Sequence, residues 1–283
     1  MGKTLFGLLG WPVSHSVSPA MMQAAFSELA IEGCYLPFPV RPEALADAVR
    51  GLQALGAVGV NVTIPHKQNV VPMLSLVTDE ASRAGAVNTL KFDCESRAII
   101  GHNTDVSGWW ESLERRWPPR VQLRTVTLLG SGGAARAVLA ALALHANHVH
   151  VRVTSRNRET TEELVRDFRE VLELTPTVWE QREDSVAESD LVVQSTPMGM
   201  WPNVDDSPVI HAACFHPGQV VQDLVYRPLE TRLLSQAREQ GATVLDGLAM
   251  LVEQGALALE FWTGKRPSRQ LMHAAALAAL GHA

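Results

Sequence analysis

The chain has little cysteine, no excess of positive charge and no long apolar run. Its 3 cysteines among 283 residues are far apart and form no CxxC pair, which argues against a disulfide framework or a zinc site. The net charge is −6, and the basic runs are too short to indicate nucleic-acid binding. No apolar run approaches the roughly 20 residues that span a bilayer, and the N-terminal residues lack the apolar segment of a signal peptide. We therefore expect a cytoplasmic protein that binds neither nucleic acid nor a membrane.

Histidine gives no clear sign of a metal site. The densest group, His145, His148 and His150, lies where a predicted helix gives way to a strand. No carboxylate ligand lies close to it in sequence, and histidine spacing alone is a weak indicator. We predict no metal.

What the chain does have is the composition of a globular protein with a sizeable core, since 46% of its residues are hydrophobic and 19% are charged. Its length predicts two domains or one large one. Pro118-Pro119 is the clearest boundary, because neither proline can continue a helix. Strands alternate with helix-length segments on both sides of it, which predicts βαβ units and a parallel sheet, hence an α/β fold.

The individual elements are predicted from hydrophobic periodicity and from the residues that interrupt it. Predicted strands cover residues 4–9, 35–40, 58–64, 86–92, 97–100, 125–129, 148–154, 190–195 and 219–225. Predicted helices cover residues 19–29, 42–55, 104–117, 133–144, 159–172 and 247–264. Ser18 is the expected N-cap of the first helix, with Pro19 in its first turn.

A glycine-rich turn follows the strand at 125–129 and opens the next helix. It reads Gly130-Ser131-Gly132-Gly133-Ala134-Ala135, which is a GxGxxA pattern in the strand–turn–helix context of dinucleotide-binding folds. Gly130 permits the tight turn, Gly132 lets the backbone approach a pyrophosphate, and the helix N-terminus attracts its charge. The alternative is a glycine-rich turn that binds nothing.

The next strand is followed by Arg156 and Arg158. An NAD site usually has an acidic residue here for the ribose 2′-hydroxyl. Guanidinium groups suit a 2′-phosphate instead, so the sequence favours NADP over NAD. For Arg158 the alternative, a solvated surface arginine, is equally open.

Lys67 and Asp105 each follow an apolar run and are flanked by small amides and hydroxyls. A lysine held beside a carboxylate can move a proton during chemistry at a carbonyl. A structural salt bridge is the alternative.

Three further polar sites are open to two interpretations each. Ser16 and Ser18 lie two apart beside a helix start, so they suit a carboxylate, although Ser18 would also serve as a plain N-cap. Asn88 is either a ligand contact or a turn residue, and Gln254 is either a ligand contact or a buried, satisfied amide.

Eight segments, in order along the chain, resemble the shikimate dehydrogenase family. They are GWPVSHSVSP (10–19), GVNVTIPHK (59–67), GAVNT (85–89), NTD (103–105), GSGGA (130–134), STPMGM (195–200), DLVYRP (223–228) and MLVEQ (250–254). The resemblance implies an N-terminal αβ substrate domain, a Rossmann-type NADP-binding domain and a cleft between them. The substrate domain would comprise residues 1–103 with 246–283, and the NADP domain residues 104–245.

The resemblance also implies roles for individual residues. Lys67 and Asp105 would form the catalytic pair. The substrate would contact Ser16, Ser18, Asn61, Thr63, Asn88, Tyr226 and Gln254. The cofactor would contact Gly130, Ser131, Gly132, Gly133, Ala134, Arg156, Arg158, Thr196, Met198, Met200 and Gly247. The implied reaction is the NADP-dependent, reversible reduction of 3-dehydroshikimate to shikimate in aromatic amino-acid (chorismate) biosynthesis, by a monomer or homodimer.

The chain departs from the family pattern at three places. Ser155-Arg156-Asn157 stands where the family has Asn-Arg-Thr, Gln194-Ser195-Thr196-Pro197 where it has Asn-Ala-Thr-Pro, and Met22-Gln23 where it has His-Asn. The first two touch cofactor contacts, which leaves the selectivity for NADP open. A quinate or aminoshikimate dehydrogenase is the alternative within the family, and a dinucleotide-binding regulator without catalysis is the alternative outside it.

Overall fold

Two six-stranded sheets organise the chain. In the computed structural model, which describes residues 3–119 and 121–281, each sheet belongs to its own unit. The first unit ends at Gly108 and resumes at Val252, and the second runs from Trp109 to Leu251.

The strands and helices have the following bounds. The strands are β1 Thr4–Gly10, β2 Gly33–Pro39, β3 Gly59–Val62, β4 Leu76–Val77, β5 Thr89–Phe92, β6 Ile99–His102, β7 Thr125–Leu129, β8 His150–Thr154, β9 Glu173–Thr177, β10 Leu191–Gln194, β11 Val220–Asp223 and β12 Thr243–Leu245. The helices are α1 Ser18–Glu28, α2 Leu45–Ala54, α3 Asp79–Ala84, α4 Thr104–Glu114, α5 Gly133–His145, α6 Arg158–Phe168, α7 Arg182–Ala187, α8 Arg232–Glu239, α9 Leu248–Thr263 and α10 Arg269–Leu280.

The first unit has a mixed sheet with strand order β2-β1-β3-β5-β6-β4. β5 runs antiparallel to both of its neighbours, β3 and β6, and the other pairs are parallel. β3 and β6 therefore point the same way. Their carboxyl ends and the start of β5 lie at one edge of the sheet.

The second unit has a sheet in which every pair is parallel, with strand order β12-β11-β10-β7-β8-β9. This is the doubly wound order of dinucleotide-binding folds. Its inner strands β7 and β10 are almost wholly buried, as expected for a sheet covered on both faces. The predicted α/β class is confirmed.

The last two helices pack on the first unit. Trp262 of α9 donates its indole N–H to the Leu90 carbonyl at 2.8 Å, and its ring lies 5.4 Å from that of Phe6. Gly59 makes room for it, because a Cβ there would lie 2.2 Å from the Trp262 Nε1. The distant C-terminal segment thus completes the core of the N-terminal sheet.

Periodicity found most of the long elements but few of the short ones. The helix predicted over 42–55 is a 3₁₀ turn, Pro42–Ala44, followed by α2, and the strand predicted over 97–100 lies later, as β6. β4, α3, β9, α7, α8, β12 and the 12-residue helix α10 were not predicted. Several of them have only two to six residues, which is too few to establish a repeat.

Over residues 3–119 and 121–281, each helix is too short or too polar to span a membrane.

Candidate active site

Lys67 and Asp105 form a largely buried ion pair in the first unit. Lys67 Nζ lies 2.6 Å from Asp105 Oδ2, and the two side chains are 15% and 6% exposed. They meet across 38 positions of sequence because Lys67 follows β3, Asp105 follows β6, and these two strands end at the same edge of the sheet. The structure therefore brings together the two residues predicted to form a catalytic pair.

Hydrogen bonds hold the loop that carries Lys67. The Val87 amide donates to the Lys67 carbonyl at 2.8 Å, and the His66 amide donates to the Thr63 carbonyl at 2.9 Å. The His66 side chain is fully buried, with Nε2 2.7 Å from the Val40 carbonyl. Because a carbonyl can only accept, Nε2 carries the ring proton. The backbone from which the lysine extends is thus fixed on both sides.

Asp105 lies in the first turn of α4. Its N–H donates to Asn103 Oδ1 at 3.0 Å, and the Thr104 N–H donates to Asn88 Oδ1 at 2.8 Å. Asn88 Nδ2 in turn donates to Thr104 Oγ1 at 3.0 Å. A helix N-terminus stabilises a carboxylate by roughly 0.3–1 kcal/mol, so the negative member of the pair sits where the backbone favours it.

The amides of Asn61 and Asn88 are buried and hydrogen-bonded within the first unit. The Tyr35 hydroxyl donates to Asn61 Oδ1 at 2.8 Å, Asn61 Nδ2 lies 3.2 Å from Thr89 Oγ1, and Thr89 Oγ1 lies 2.9 Å from Asn88 Oδ1. Asn88 lies in a bend directly before β5, and its side chain is 2% exposed and holds the start of α4, so its predicted ligand contact stays a prediction. Sequence reasoning missed Tyr35 and Thr89, although Thr89 stands inside the GAVNT segment.

Ser16 and Ser18 lie at the start of α1. The prediction that Ser18 is the N-cap is wrong, because α1 begins at Ser18 itself and Val17 holds the N-cap position without a side-chain acceptor. Ser16 Oγ accepts from the Ser18 N–H at 3.2 Å instead. The Ser18 hydroxyl is therefore not required for capping, which removes the simplest structural explanation for a serine at this position.

The other predicted substrate residues are half-buried. Thr63 directly follows β3, and Gln254 lies on α9. α9 passes close to α4 here, since a Cβ on Gly108 would lie 2.8 Å from the Gln254 backbone nitrogen. Tyr226 follows β11 in the second unit, whereas the other predicted substrate residues lie in the first.

The glycine-rich turn of the second unit joins β7 to α5. Gly130 has φ +118°, and a Cβ there would lie 2.5 Å from Ser195 Oγ, so only glycine is accommodated. Gly132 is the N-cap of the 13-residue helix α5, with no side-chain cap and no acidic residue in the first turn, which contains Gly133 and Ala134. An uncapped helix N-terminus behind a glycine turn fits a pyrophosphate.

Arg156 and Arg158 line an open groove of about 310 Å³, whose far wall is residues 176–180. Arg158 Nε is bound to Glu162 Oε1 at 2.7 Å on the surface of α6, which supports the surface interpretation of this residue. The Ser131 hydroxyl lies 3.0 Å from Ser155 Oγ, so hydroxyl groups link the glycine-rich turn to the groove. Arg156 is exposed and remains the better predicted partner for a 2′-phosphate.

The loop after β10 is organised by a side chain to which the sequence analysis gave no role. Gln194 is fully buried; its Oε1 accepts from the Thr196 N–H at 2.9 Å, and its Nε2 donates to the Met198 carbonyl at 3.0 Å. Met200, further along, is 41% exposed. In the sequence, the feature that marked Gln194 was its departure from the asparagine that the family has at this position.

Gly247, which precedes α9, is required by packing. A Cβ there would lie 2.4 Å from the Leu224 carbonyl oxygen, and the Gly247 N–H donates to the Val225 carbonyl at 3.2 Å. This contact explains the glycine by itself, so its predicted cofactor contact stays a prediction.

Asp223 is a fully buried carboxyl group at the end of β11. It accepts hydrogen bonds from the Val225 N–H at 2.9 Å and the Thr231 hydroxyl at 2.7 Å, and Thr231 is the N-cap of α8. Asp223 thus ties together both ends of the loop that carries Tyr226. Burial raises the pKa of the Asp223 carboxyl to about 7, although both hydrogen bonds lower it.

Comparison with known proteins identifies the family. The family model for the shikimate dehydrogenase substrate binding domain matches residues 8–90, and that for the shikimate 5′-dehydrogenase C-terminal domain matches residues 247–277. A shikimate dehydrogenase (NADP⁺) from Symbiobacterium thermophilum is 43% identical over 281 residues, covering 98% of this chain and 94% of the relative. The chain belongs to the shikimate dehydrogenase family.

Solved structures of the family have the same fold. The Thermus thermophilus shikimate 5-dehydrogenase in complex with NADP(H) and shikimate has a TM-score of 0.85 at 37% identity, covering 98% of this chain and 99% of that one. The Corynebacterium glutamicum quinate dehydrogenase in complex with NAD has a TM-score of 0.88 at 31% identity, with coverage of 98% and 100%. The predicted family, and a fold with a substrate domain and a Rossmann-type domain, are confirmed.

Asp223 should make stability depend on pH. Its pKa is about 7 in the folded protein and about 3.9 in an unfolded chain, so the folded state keeps a proton that the unfolded chain loses. The stabilisation is full below about pH 4 and is lost as the pH rises through about 7. Since each pKa unit corresponds to about 1.4 kcal/mol, the loss is on the order of 4 kcal/mol at most.

Urea unfolding at about pH 5, 6, 7 and 8 checks this. Asp223→Asn should remove most of the decline in unfolding free energy, while the control Asp205→Asn, at an exposed position, should keep it. An unchanged pH dependence in Asp223→Asn would contradict the assignment.

Proposed function

We propose that this chain is an NADP-dependent shikimate dehydrogenase that catalyses the reversible reduction of 3-dehydroshikimate to shikimate. The observation that carries the proposal is the buried Lys67–Asp105 pair, 2.6 Å apart, in a chain that resembles shikimate dehydrogenases (NADP⁺) over nearly its whole length. The role in aromatic amino-acid (chorismate) biosynthesis follows from that reaction. The reducing cytoplasm expected from the three scattered cysteines agrees with such a role, and a monomer or homodimer is part of the same proposal.

The first unit would bind the ring acid. Ser16 and Ser18 would hold its carboxylate, because their hydroxyls can donate to it beside the N-terminus of α1, and Tyr226 would assist. The ring hydroxyls would meet Thr63, Gln254 and the amide network of Asn61 and Asn88. That network is already hydrogen-bonded internally, so it holds its geometry before substrate arrives.

Lys67 would be the proton donor and acceptor of the reaction. Reduction of a ring ketone leaves negative charge on its oxygen, which must be stabilised and then protonated. The Lys67 ammonium has three donor hydrogens. One can bind Asp105 Oδ2 at the observed 2.6 Å, while another reaches the substrate oxygen and is transferred to it. In the reverse direction, neutral Lys67 takes the proton from the substrate hydroxyl.

Asp105 would orient the lysine and bind a neighbouring hydroxyl. Its Oδ2 faces Lys67, and a carboxylate has several acceptor positions. Its backbone is fixed through Asn103 and its side chain is held by Lys67, so the carboxylate would already be ordered when substrate binds. Loss of the negative charge would leave the ammonium without its partner and free to rotate away.

The second unit would bind NADP, which supplies or accepts the hydride. Gly130, Gly132, Gly133 and Ala134 would hold the pyrophosphate at the uncapped start of α5, with Ser131 bracing the turn against Ser155. Arg156 would bind the 2′-phosphate, with Arg158 nearby. Thr196, Met198, Met200 and Gly247 complete the proposed contacts.

A quinate dehydrogenase is the second candidate, because a structural neighbour of that name, in complex with NAD, has a TM-score of 0.88. The resemblance to the family implies that a serine at Ser18, rather than a threonine, favours shikimate over quinate. Absorbance of the reduced nicotinamide, followed with shikimate or quinate and with NADP or NAD, separates the two. Turnover of quinate alone would replace the proposal, and tight nucleotide binding with no turnover would favour the non-catalytic regulator.

Lys67→Ala should lower kcat for shikimate oxidation by roughly 10²–10⁴-fold, the usual contribution of a positioned acid–base group. NADP affinity, measured by fluorescence titration, should not change. Lys265→Ala is the matched control, because among the described residues the Lys265 ammonium bonds to a carbonyl, that of Leu29 at 3.1 Å. Near-normal kcat in Lys67→Ala would contradict the role.

Arg156→Ala should raise KM for NADP at least about tenfold and leave KM for NAD unchanged, since a charge-assisted contact to phosphate is lost. Arg158→Ala should change both KM values by less than about threefold, because Arg158 is bound to Glu162 at the surface and such pairs contribute little. Steady-state kinetics of both variants, with NADP and with NAD, measures these KM values. Equal effects of the two variants would show that Arg156 does not select NADP.

A further inference from the structure

Close to Asp105 in sequence, three elements of the first unit meet at one histidine. His102 is the last residue of β6. Its Nδ1 lies 2.8 Å from the Thr78 hydroxyl, and its Nε2 lies 3.4 Å from Glu80 Oε2. Its ring stacks on Phe261 of α9 at 4.7 Å. One side chain therefore contacts the start of α3 and the end of α9.

The chain of polar contacts continues to the helix that carries Asp105. Glu80 Oε1 accepts a hydrogen bond from the Ser107 hydroxyl at 2.6 Å, and Ser107 lies on α4, two residues after Asp105. Glu80 is thus bound to α4 on one oxygen and faces His102 with the other. A shift of the histidine ring would be passed to α4 through this carboxylate.

The directions of these contacts are consistent with a neutral ring. Thr78 Oγ1 accepts from the Ala81 N–H at the start of α3, which leaves its hydroxyl hydrogen for His102 Nδ1. Nε2 then carries the ring proton and faces Glu80, which can only accept. Burial lowers the pKa of His102, and Glu80 offsets this in part. A tautomer fixed in this way gives the ring one orientation.

We propose that His102 is a positioning residue that holds two parts of the site in register: Asp105, through Glu80 and Ser107 on α4, and Gln254, through Phe261 on α9. Phe261 and Gln254 are seven positions, two helical turns, apart on α9, so they lie on the same face. The inference rests on the proposed roles of Asp105 and Gln254. Among the described residues, the side chain of His102 contacts Thr78, Glu80 and Phe261, so the role proposed for it is positioning.

The two connections of His102, through Glu80 and Ser107 to α4 and through Phe261 to α9, can be removed by separate substitutions. His102→Phe keeps a ring on Phe261 and removes both polar contacts, and Ser107→Ala removes only the last link to α4. Both should lower kcat about three- to tenfold with KM for shikimate unchanged, since small displacements of a catalytic group cost rate. Phe261→Leu removes the stacking and should raise KM for shikimate by a similar factor with kcat nearly unchanged. KM for NADP should stay constant throughout.

A matched control separates positioning from loss of stability. The Ser96 hydroxyl donates to Asp93 Oδ2 at 2.6 Å, the same kind of bond as Ser107 to Glu80 but in the β5–β6 turn. Ser96→Ala removes that bond and the acceptor of the Ala98 N–H, so both alanine variants should lower the unfolding temperature. Only Ser107→Ala should lower kcat, and Ser107→Thr should restore it.

Equal kinetics of the two alanine variants, or a wild-type kcat in His102→Phe, would overturn the positioning role. A wild-type enzyme that turns over no ring acid would instead refute the proposed function itself. The same experiment therefore tells the two failures apart.

Discussion

The ion pair between Lys67 and Asp105 is the contact on which the arrangement of the first unit depends. Both side chains are largely removed from water, and an unpaired buried charge typically costs about 3–5 kcal/mol. The strand ends that carry the two residues must therefore stay in register. The amides of Asn88 and Asn103 fix the start of α4, and the Val87 N–H fixes the Lys67 backbone. Much of the buried polar framework in this unit serves that requirement.

Motif context predicted the parts of the site that are local in sequence. The glycine-rich turn could be recognised as a dinucleotide-binding turn because its features lie within a few adjacent residues. These features are the strand–turn–helix order and the positive φ at Gly130. Lys67 and Asp105 could be paired only through the resemblance to a family, since 38 positions separate them. The parallel course of β3 and β6, which explains why they meet, depends on β5 lying between them.

Capping and tertiary contacts were harder to predict from sequence. Serine is a favoured N-cap residue, but the backbone angles decide where a helix begins, and they put Val17 rather than Ser18 at the N-cap position of α1. Asp223 and His102 stand out only after folding, because their burial and partners come from other elements. Gln194 differs from the family's asparagine by one methylene group, yet its two hydrogen bonds to the following loop could not be derived from that difference.

The most direct test of the account is a double-mutant cycle on the central pair. Shikimate oxidation with NADP is measured for the wild type, Lys67→Ala, Asp105→Asn and the double variant. If the two side chains act as one proton-transfer unit, the double variant should lose about as much kcat as Lys67→Ala alone, because effects within a unit are not additive. Losses that simply multiply, or a double variant with near wild-type kcat, would contradict the account.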